Sequence, residues 1–133
     1  MRRLRRKAPP LRNLLKERGE MSDGRRFRVV IVGGGTGGIT VAARLLRGGL
    51  SQGDIAIVEP SDKHYYQPLW TLVGAGLARK ESTERPEERL IPRGATWIRD
   101  AVTEVDPDAK QVKTRSGETI GYDWLVVAAG LQI

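Results

Sequence analysis

The sequence predicts an α/β fold in which a parallel sheet is joined to a small antiparallel meander. One observation is a β-branched run that leads directly into a glycine-rich turn and then a segment with helical spacing. A second is another apolar run that ends in an acidic residue soon after that segment. The third is a series of short segments separated by turn signals in the last third of the chain. With 133 residues, the chain has room for one domain at most.

The first strand and the turn after it carry the strongest local signal. Residues 28–32 (RVVIV) have the continuous apolar character of a strand covered on both faces. Residues 33–38 (GGGTGG) then fit the pattern G-x-G-x-x-G. In that pattern Gly33 allows a tight turn, Gly35 lets the backbone approach a pyrophosphate, and Gly38 permits close packing of helix on strand. The helix that follows, ended by Gly48 and Gly49, would present its positive end to phosphates.

The second strand, residues 54–59, ends in Glu59, which lies 21 positions beyond Gly38. This spacing matches the carboxylate that accepts hydrogen bonds from an adenosine ribose, and the same charge would repel the 2′-phosphate of NADP. The alternative is a flexible glycine turn with a surface acid at a strand end. The order of strand, turn, helix, strand and acid favours dinucleotide binding in a Rossmann-like unit. It does not separate FAD from NAD, because both contain the ADP half.

The segment after Glu59 is rich in turn residues and would lie near the ligand crevice. Its aromatic residues, Tyr65, Tyr66 and Trp70, would either shield a flat ring system or pack a loop and short helix, and Gln67 is positioned to hydrogen-bond such a ring. His64 is interpreted as a structural or surface residue rather than a proton donor or base.

Residues 79–93 are charged and helix-prone, and a solvated face explains them. The predicted meander comprises residues 96–99, 101–105, 111–114 and 118–120. Residues 123–130 predict another buried strand. Its small residues at the end would either let the backbone pass close to a cofactor or simply pack tightly.

Composition excludes several functional classes. The chain has no cysteine and one histidine, which excludes a disulfide framework, thiol chemistry and a His-rich metal site within it. The longest stretches without a charged residue, 29–43 and 64–78, have 15 residues each and are too short for a spanning helix.

The net charge of +7 is confined to the start of the chain. Residues 1–28 hold 11 Lys or Arg against three acidic residues, a charge of +8. The remaining residues hold 12 basic and 13 acidic residues, a charge of −1. A nucleic-acid partner is therefore not expected for the folded part.

Residues 1–26 are predicted to be a basic, disordered extension, and residues 27–133 an incomplete nucleotide-binding domain. The alternatives for the extension are an organellar presequence, a basic arm for anionic surfaces, a membrane-surface helix, or a stretch upstream of a native start at Met21. A secretory signal is disfavoured because no apolar run follows the basic start.

Three segments carry a resemblance to a known superfamily: residues 30–38 (VIVGGGTGG), 58–60 (VEP) and 122–130 (YDWLVVAAG). They resemble the FAD-binding half of the pyridine nucleotide-disulfide oxidoreductases, which return to FAD with such a strand after a meander. Residues 64–76 (HYYQPLWTLVGAG) are similar to the corresponding segment of the sulfide:quinone oxidoreductases. The resemblance covers residues 27–133 and implies FAD as the cofactor.

The resemblance also implies a set of cofactor contacts. They are Gly33, Gly35, Thr36, Gly37 and Gly38 at the pyrophosphate, Glu59 at the ribose, Gln67 at the flavin, Val102 at the adenine, and Ala129 and Gly130 at the second approach to FAD. In such enzymes cysteines beside the flavin oxidise sulfide and a quinone collects the electrons. Those cysteines, a second nucleotide-binding domain and a membrane-associating carboxyl-terminal part have no counterpart here, so no catalytic residue is assigned.

The chain is accordingly interpreted as an amino-terminal fragment that is inactive alone. Its parent would work in the cytoplasm, at the inner face of a bacterial membrane, or at the mitochondrial inner membrane. The alternatives are a fragment of an NADH:quinone oxidoreductase or another disulfide-reductase-like flavoprotein, and a nucleotide-binding remnant without catalysis.

Overall fold

A computed structural model describes residues 24–131 of the chain. The predicted basic extension therefore lies outside the described residues up to position 23. The strands are β1 (Arg26–Val32), β2 (Ile55–Val58), β3 (Lys63–Tyr65), β4 (Glu84–Pro86), β5 (Ala95–Ile98), β6 (Val102–Asp106), β7 (Gln111–Thr114) and β8 (Thr119–Val127). The helices are α1 (Thr36–Arg47) and α2 (Trp70–Gly74), with 3₁₀ turns at Gln67–Leu69, Lys80–Thr83 and Glu87–Arg89.

Six strands form one sheet in the order β5-β2-β1-β8-β7-β6, which confirms the α/β class with a mostly parallel sheet and a meander. The strands β5, β2, β1 and β8 run parallel, and β8, β7 and β6 continue as antiparallel neighbours. Val30 lies between Ala56 of β2 and Leu125 of β8 and is fully buried. Apolar β-branched residues suit this central position because both faces of the strand are covered.

The two faces of the sheet carry separate apolar clusters. On one face Ile31, Ile55 and Ile57 pack with Ala42 of α1. On the other face the cluster includes Val30, Val58, Ile98, Val112 and Ile120 and reaches into the meander. Gly49, with φ of +104°, ends α1, and Leu50 N–H donates to the Leu45 carbonyl at 3.1 Å. The predicted glycine termination of the helix is confirmed.

Residues 96–99 were predicted to open the meander, and this prediction is wrong. The strand β5 pairs in parallel with β2, Ala95 opposite Ile55, and forms the edge of the parallel sheet. Glu59 N–H donates to the Ile98 carbonyl at 3.0 Å beyond the paired residues. A short strand of mixed polarity does not reveal the direction of its partner, because side-chain alternation is the same in parallel and antiparallel pairs.

The predicted segments 118–120 and 123–130 both overlap one strand, β8, which begins at Thr119 and ends at Val127. Gly121 pairs with Gln111 of β7 on one side and with Arg26 of β1 on the other. The same nine-residue strand therefore belongs to the meander and to the parallel sheet.

Residues 79–93 do not form the helix-prone, solvated segment that the sequence indicates. They form two 3₁₀ turns and the short strand β4, which pairs with β3. Pro86, at φ of −60°, precedes the second turn, and proline disfavours continuous helix at this point. Thr83 and Glu87 are buried, so the segment covers part of the molecule instead of presenting only polar side chains to water.

Within the described residues, no helix combines the length and apolar character needed to cross a membrane. Over the same residues, no group of three or more His, Cys, Asp or Glu side chains is arranged to hold a metal ion.

Candidate dinucleotide-binding site

The glycine turn is fixed between the carboxyl ends of two strands. Gly33 has φ of +103°, its N–H donates to the Val58 carbonyl at 2.9 Å, and a Cβ there would collide with the backbone of Ala128. A Cβ on Gly38 would collide with the Gly33 carbonyl oxygen. Both positions therefore require glycine for steric reasons, and the turn brings the start of α1 against the sheet.

The first turn of α1 is open to a ligand. Gly35 is the N-cap residue, with extended backbone and no side chain capping the helix. The space around its missing Cβ is empty within 4 Å, and the first turn contains no acidic residue. The free backbone N–H groups of the helix start thus form a positive end that suits an anion.

Glu59 is held beside this turn by backbone donors. One carboxylate oxygen accepts from Gly34 N–H at 2.8 Å and the other from Ser61 N–H at 2.7 Å. The Trp97 indole N–H donates to the Glu59 carbonyl at 3.0 Å, which fixes the backbone as well. Each carboxylate oxygen has acceptor capacity left for a ribose hydroxyl.

Two neighbouring cavities meet at this edge of the sheet, and Glu59 and Gly130 line both of them. The first, of about 380 Å³, is lined by Gly35, Thr36 and Gly37 of the glycine turn and by Gln67. The second, of about 240 Å³, is lined by Gly33, Val102 and Ala129. Nine of the ten residues assigned to cofactor contacts therefore line one or both of these two cavities.

The exception is Gly38, which is buried and lines neither cavity. Its position under the turn fits the packing role that the motif gives to the third glycine.

One aromatic residue of the loop lines the first cavity, and the other two are exposed. Tyr65 lines the first cavity, lies 6.1 Å from Trp70 between ring centroids, and donates its hydroxyl to Glu84 at 3.2 Å. Tyr66 and Trp70 are 51% and 46% exposed. Tyr65 thus combines the packing and cavity-lining roles that the sequence left open.

Glu87 and His64 form a pair at the site that the sequence did not predict. The Glu87 side chain is almost fully buried in the first cavity wall, and one of its carboxyl oxygens lies 3.3 Å from His64 Nδ1. Burial raises the pKa of Glu87, and the Glu59 carboxylate raises it further, whereas His64 opposes both effects. In the sequence, Glu87 is one acid within a charged run and gives no signal of burial.

Gly34 is the residue of the sequence that indicates the position of Glu87. It occupies a free position of the glycine motif, yet a Cβ there would lie 2.5 Å from a Glu87 carboxyl oxygen and 2.7 Å from Glu59 Cγ. A glycine where the motif does not demand one indicates crowding by another residue of the site.

The fold and the site together have the features of the dinucleotide-binding class of α/β domains, with a glycine turn at a helix start and an acid after the second strand. The model of the pyridine nucleotide-disulphide oxidoreductase family matches residues 27–132. The chain belongs to this family.

Among its relatives, the mitochondrial sulfide:quinone oxidoreductase of Dictyostelium discoideum is 52% identical over 106 residues, which are 80% of this chain and 24% of the relative. A type II NADH:quinone oxidoreductase of Mycobacterium tuberculosis is 34% identical over 115 residues, 82% of this chain and 24% of the relative. The crystal structure of the sulfide:quinone oxidoreductase from Aquifex aeolicus superposes with a TM-score of 0.63 at 28% identity, covering 83% of this chain and 25% of that one. The chain spans about a quarter of the length of these relatives.

Proposed function

We propose that this chain is the FAD-binding portion of a flavin-dependent oxidoreductase that oxidises sulfide and passes the electrons to a quinone. The observation that carries the proposal is the junction of the glycine turn, the start of α1 and Glu59 at one cavity. The relatives that are named sulfide:quinone oxidoreductases, at up to 52% identity, support the reaction class.

The residues present fit FAD. The gap beside Gly35 leaves room for a diphosphate, and the uncapped helix start offers donors to it. The acceptor pair of Glu59 suits a ribose diol, and the second cavity beside Val102 offers a partly apolar surface for adenine. When bound, FAD supplies a two-electron carrier between the sulfur substrate and the quinone.

The residues of this chain act on that cofactor by binding and orientation. Gly35 and the first turn of α1 would hold the diphosphate, Glu59 would fix the ribose, and Ala129 and Gly130 would let the end of β8 approach the cofactor closely. Gln67 would reach the flavin end from the loop. These groups position the cofactor, and none of them is assigned to the reaction with sulfide.

The ribose contact is tested by Glu59→Gln. Loss of a hydrogen bond to a charged acceptor costs about 1.5 to 3 kcal/mol, so we expect ADP-ribose and FAD to bind about 10 to 150 times more weakly. Isothermal titration calorimetry of the 133-residue chain measures the change. The matched control is Asp62→Asn, which removes an exposed carboxylate three positions away and should leave affinity unchanged. Absence of ADP-ribose and FAD binding by the unsubstituted chain would contradict the proposed function.

We also expect the 133-residue chain alone to turn over no sulfide. The chain holds no cysteine to accept sulfur. The measurement is anaerobic addition of sulfide and a soluble quinone, with a sulfide:quinone oxidoreductase of full length as the positive control. Quinone absorbance should stay constant, and a decrease above the rate without protein would show that the chain is competent by itself.

A second candidate function is an NADH:quinone oxidoreductase, which the Mycobacterium tuberculosis relative favours. The same site would hold FAD in that case, and the reductant would differ. The two functions are separated by supplying sulfide or NADH to a protein in which this chain is joined to the rest of its own reading frame. In either case we place the working protein at a membrane that contains quinone, in bacteria or in mitochondria.

A further inference from the structure

Glu87, in the wall of the first cavity, has a buried carboxyl oxygen without a hydrogen-bond partner in the part of the chain that the structure describes. Its residue exposure is 1%, and one oxygen lies 3.3 Å from His64 Nδ1. The other oxygen, Oε1, has no hydrogen-bond partner among residues 24–131, and it lies against Gly34 in the glycine turn. A buried polar atom without a partner is costly, so a native site that keeps one is expected to satisfy it with a ligand or with water.

The charged groups around Glu87 determine whether its ionised or its neutral form suits a diphosphate in the cavity. Glu59, directly after β2, is an acid in the same cavity wall, and His64 of β3 is the imidazole that faces Glu87. Lys63 also lines the cavity, but its ammonium group is engaged by Glu84 at 2.8 Å. An ionised Glu87 would therefore add a second negative charge beside the position proposed for a diphosphate, at the cavity where Glu59 already lies.

Protonation of Oε1 resolves this conflict in one step. The neutral acid turns Oε1 from an acceptor into a donor, which suits an oxygen of the diphosphate or of the adjoining ribose. Its other oxygen can still accept a hydrogen bond from His64 Nδ1–H. Burial raises the pKa of Glu87 in the free chain and the nearby Glu59 carboxylate raises it further, against the opposing effect of His64, so the neutral form is favoured relative to an ordinary carboxyl group.

We propose that Glu87 is a cofactor-binding residue that donates a hydrogen bond to the dinucleotide as a neutral acid, so that binding takes up one proton from solvent. The inference rests on the proposed function, because it requires a dinucleotide in the cavity. It adds a residue to the site and makes affinity depend on pH.

The direction of the pH dependence follows from the thermodynamic linkage between proton binding and ligand binding. The diphosphate is negatively charged, so a bound ligand raises the pKa of Glu87 further than in the free chain. Affinity is then constant below the free-state pKa, falls by up to about tenfold per pH unit between the free-state and bound-state values, and levels off above them.

The test is calorimetric titration of the 133-residue chain with ADP-ribose, from about pH 5.5 to about pH 8.5, a range in which the diphosphate diester does not titrate. Running each titration in two buffers of different ionisation enthalpy gives the number of protons exchanged. We expect uptake to rise toward one proton per ligand as pH increases into the range between the two pKa values, together with a falling affinity.

Glu87→Gln provides the isosteric comparison. The amide donates from nitrogen to the ligand and accepts at oxygen from His64, as the neutral acid does, but it does not titrate. This variant should bind without proton uptake, independently of pH, and with the affinity that the unsubstituted chain reaches at low pH. Glu88→Gln removes the neighbouring exposed carboxylate and should behave like the unsubstituted chain.

The possible results separate the inference from the proposed function. Binding of ADP-ribose by the unsubstituted chain with no proton uptake and no pH dependence would overturn the role of Glu87 while leaving the dinucleotide site intact. Uptake that persists in Glu87→Gln would assign the proton to another group and would likewise overturn it. Absence of binding at every pH would overturn both. Absence of proton uptake by the unsubstituted chain overturns the inference even if Glu87→Gln fails to fold.

Discussion

Gly38→Ala is expected to destabilise the domain by about 3 kcal/mol or more, because the new methyl group meets backbone and not a flexible side chain. Its Cβ would overlap the Gly33 carbonyl oxygen and lie 3.2 Å from Ile31 Cγ2. Relief requires the start of α1 to move away from β1, which disturbs the turn and the packing beneath it. For a domain of this size the loss corresponds to a fall in Tm of about 15 °C. Thermal unfolding followed by circular dichroism measures the effect.

Gly74→Ala is the matched control for this substitution. It makes the same change in the helix α2, where the added methyl group meets no atom within 4 Å. Alanine has the higher helix propensity, so stability should stay constant or rise by up to about 1 kcal/mol. Equal losses in the two variants would show that the contact between Gly38 and Gly33 does not carry the effect.

Gly35→Ala is expected to have the opposite profile, with folding retained and ligand binding lost. The site of its Cβ is empty, and its φ of −64° is accessible to alanine. Replacement of an N-cap glycine by alanine costs no more than about 1 kcal/mol. The methyl group would, however, occupy the space in which a diphosphate would lie, and we expect an affinity loss of about 100-fold for FAD and ADP-ribose.

Calorimetry and thermal unfolding of the same Gly35→Ala preparation check both halves of this prediction. Gly74→Ala again serves as the control, since it lies outside the cavities and should bind normally. Normal affinity in Gly35→Ala would show that the diphosphate does not bind beside Gly35. A large loss of stability would instead indicate that Gly35 serves the fold.

The phosphate side of the site was predictable from the sequence because its requirements are local. Gly33, Gly35 and Glu59 belong to one strand-helix-strand unit, so their spacing along the chain determines their positions in space. The resemblance to a known superfamily added Val102 and Gly130, which the topology of the sheet brings to the same edge from far along the chain.

The remaining features depend on long-range packing that periodicity does not encode. The direction of β5 is set by its hydrogen bonds to β2, and its own residues are compatible with either direction. The burial of Glu87 results from pairing of β4 with β3, which carries the start of the next turn under the glycine loop. A charged run that folds over a cavity has the same composition as one that faces water.

The shared strand β8 has a consequence for how the domain opens. Since Gly121 is paired on both sides, separation of the meander from the sheet requires breaking hydrogen bonds of a strand whose far end reaches Ala128 and Gly130 at the cavities. We therefore expect opening of the β6–β7 hairpin to be coupled to the ligand edge through this strand. A bound dinucleotide that holds that edge would slow amide exchange in the turn of this hairpin, although residues 107–110 of the turn do not line the cavities.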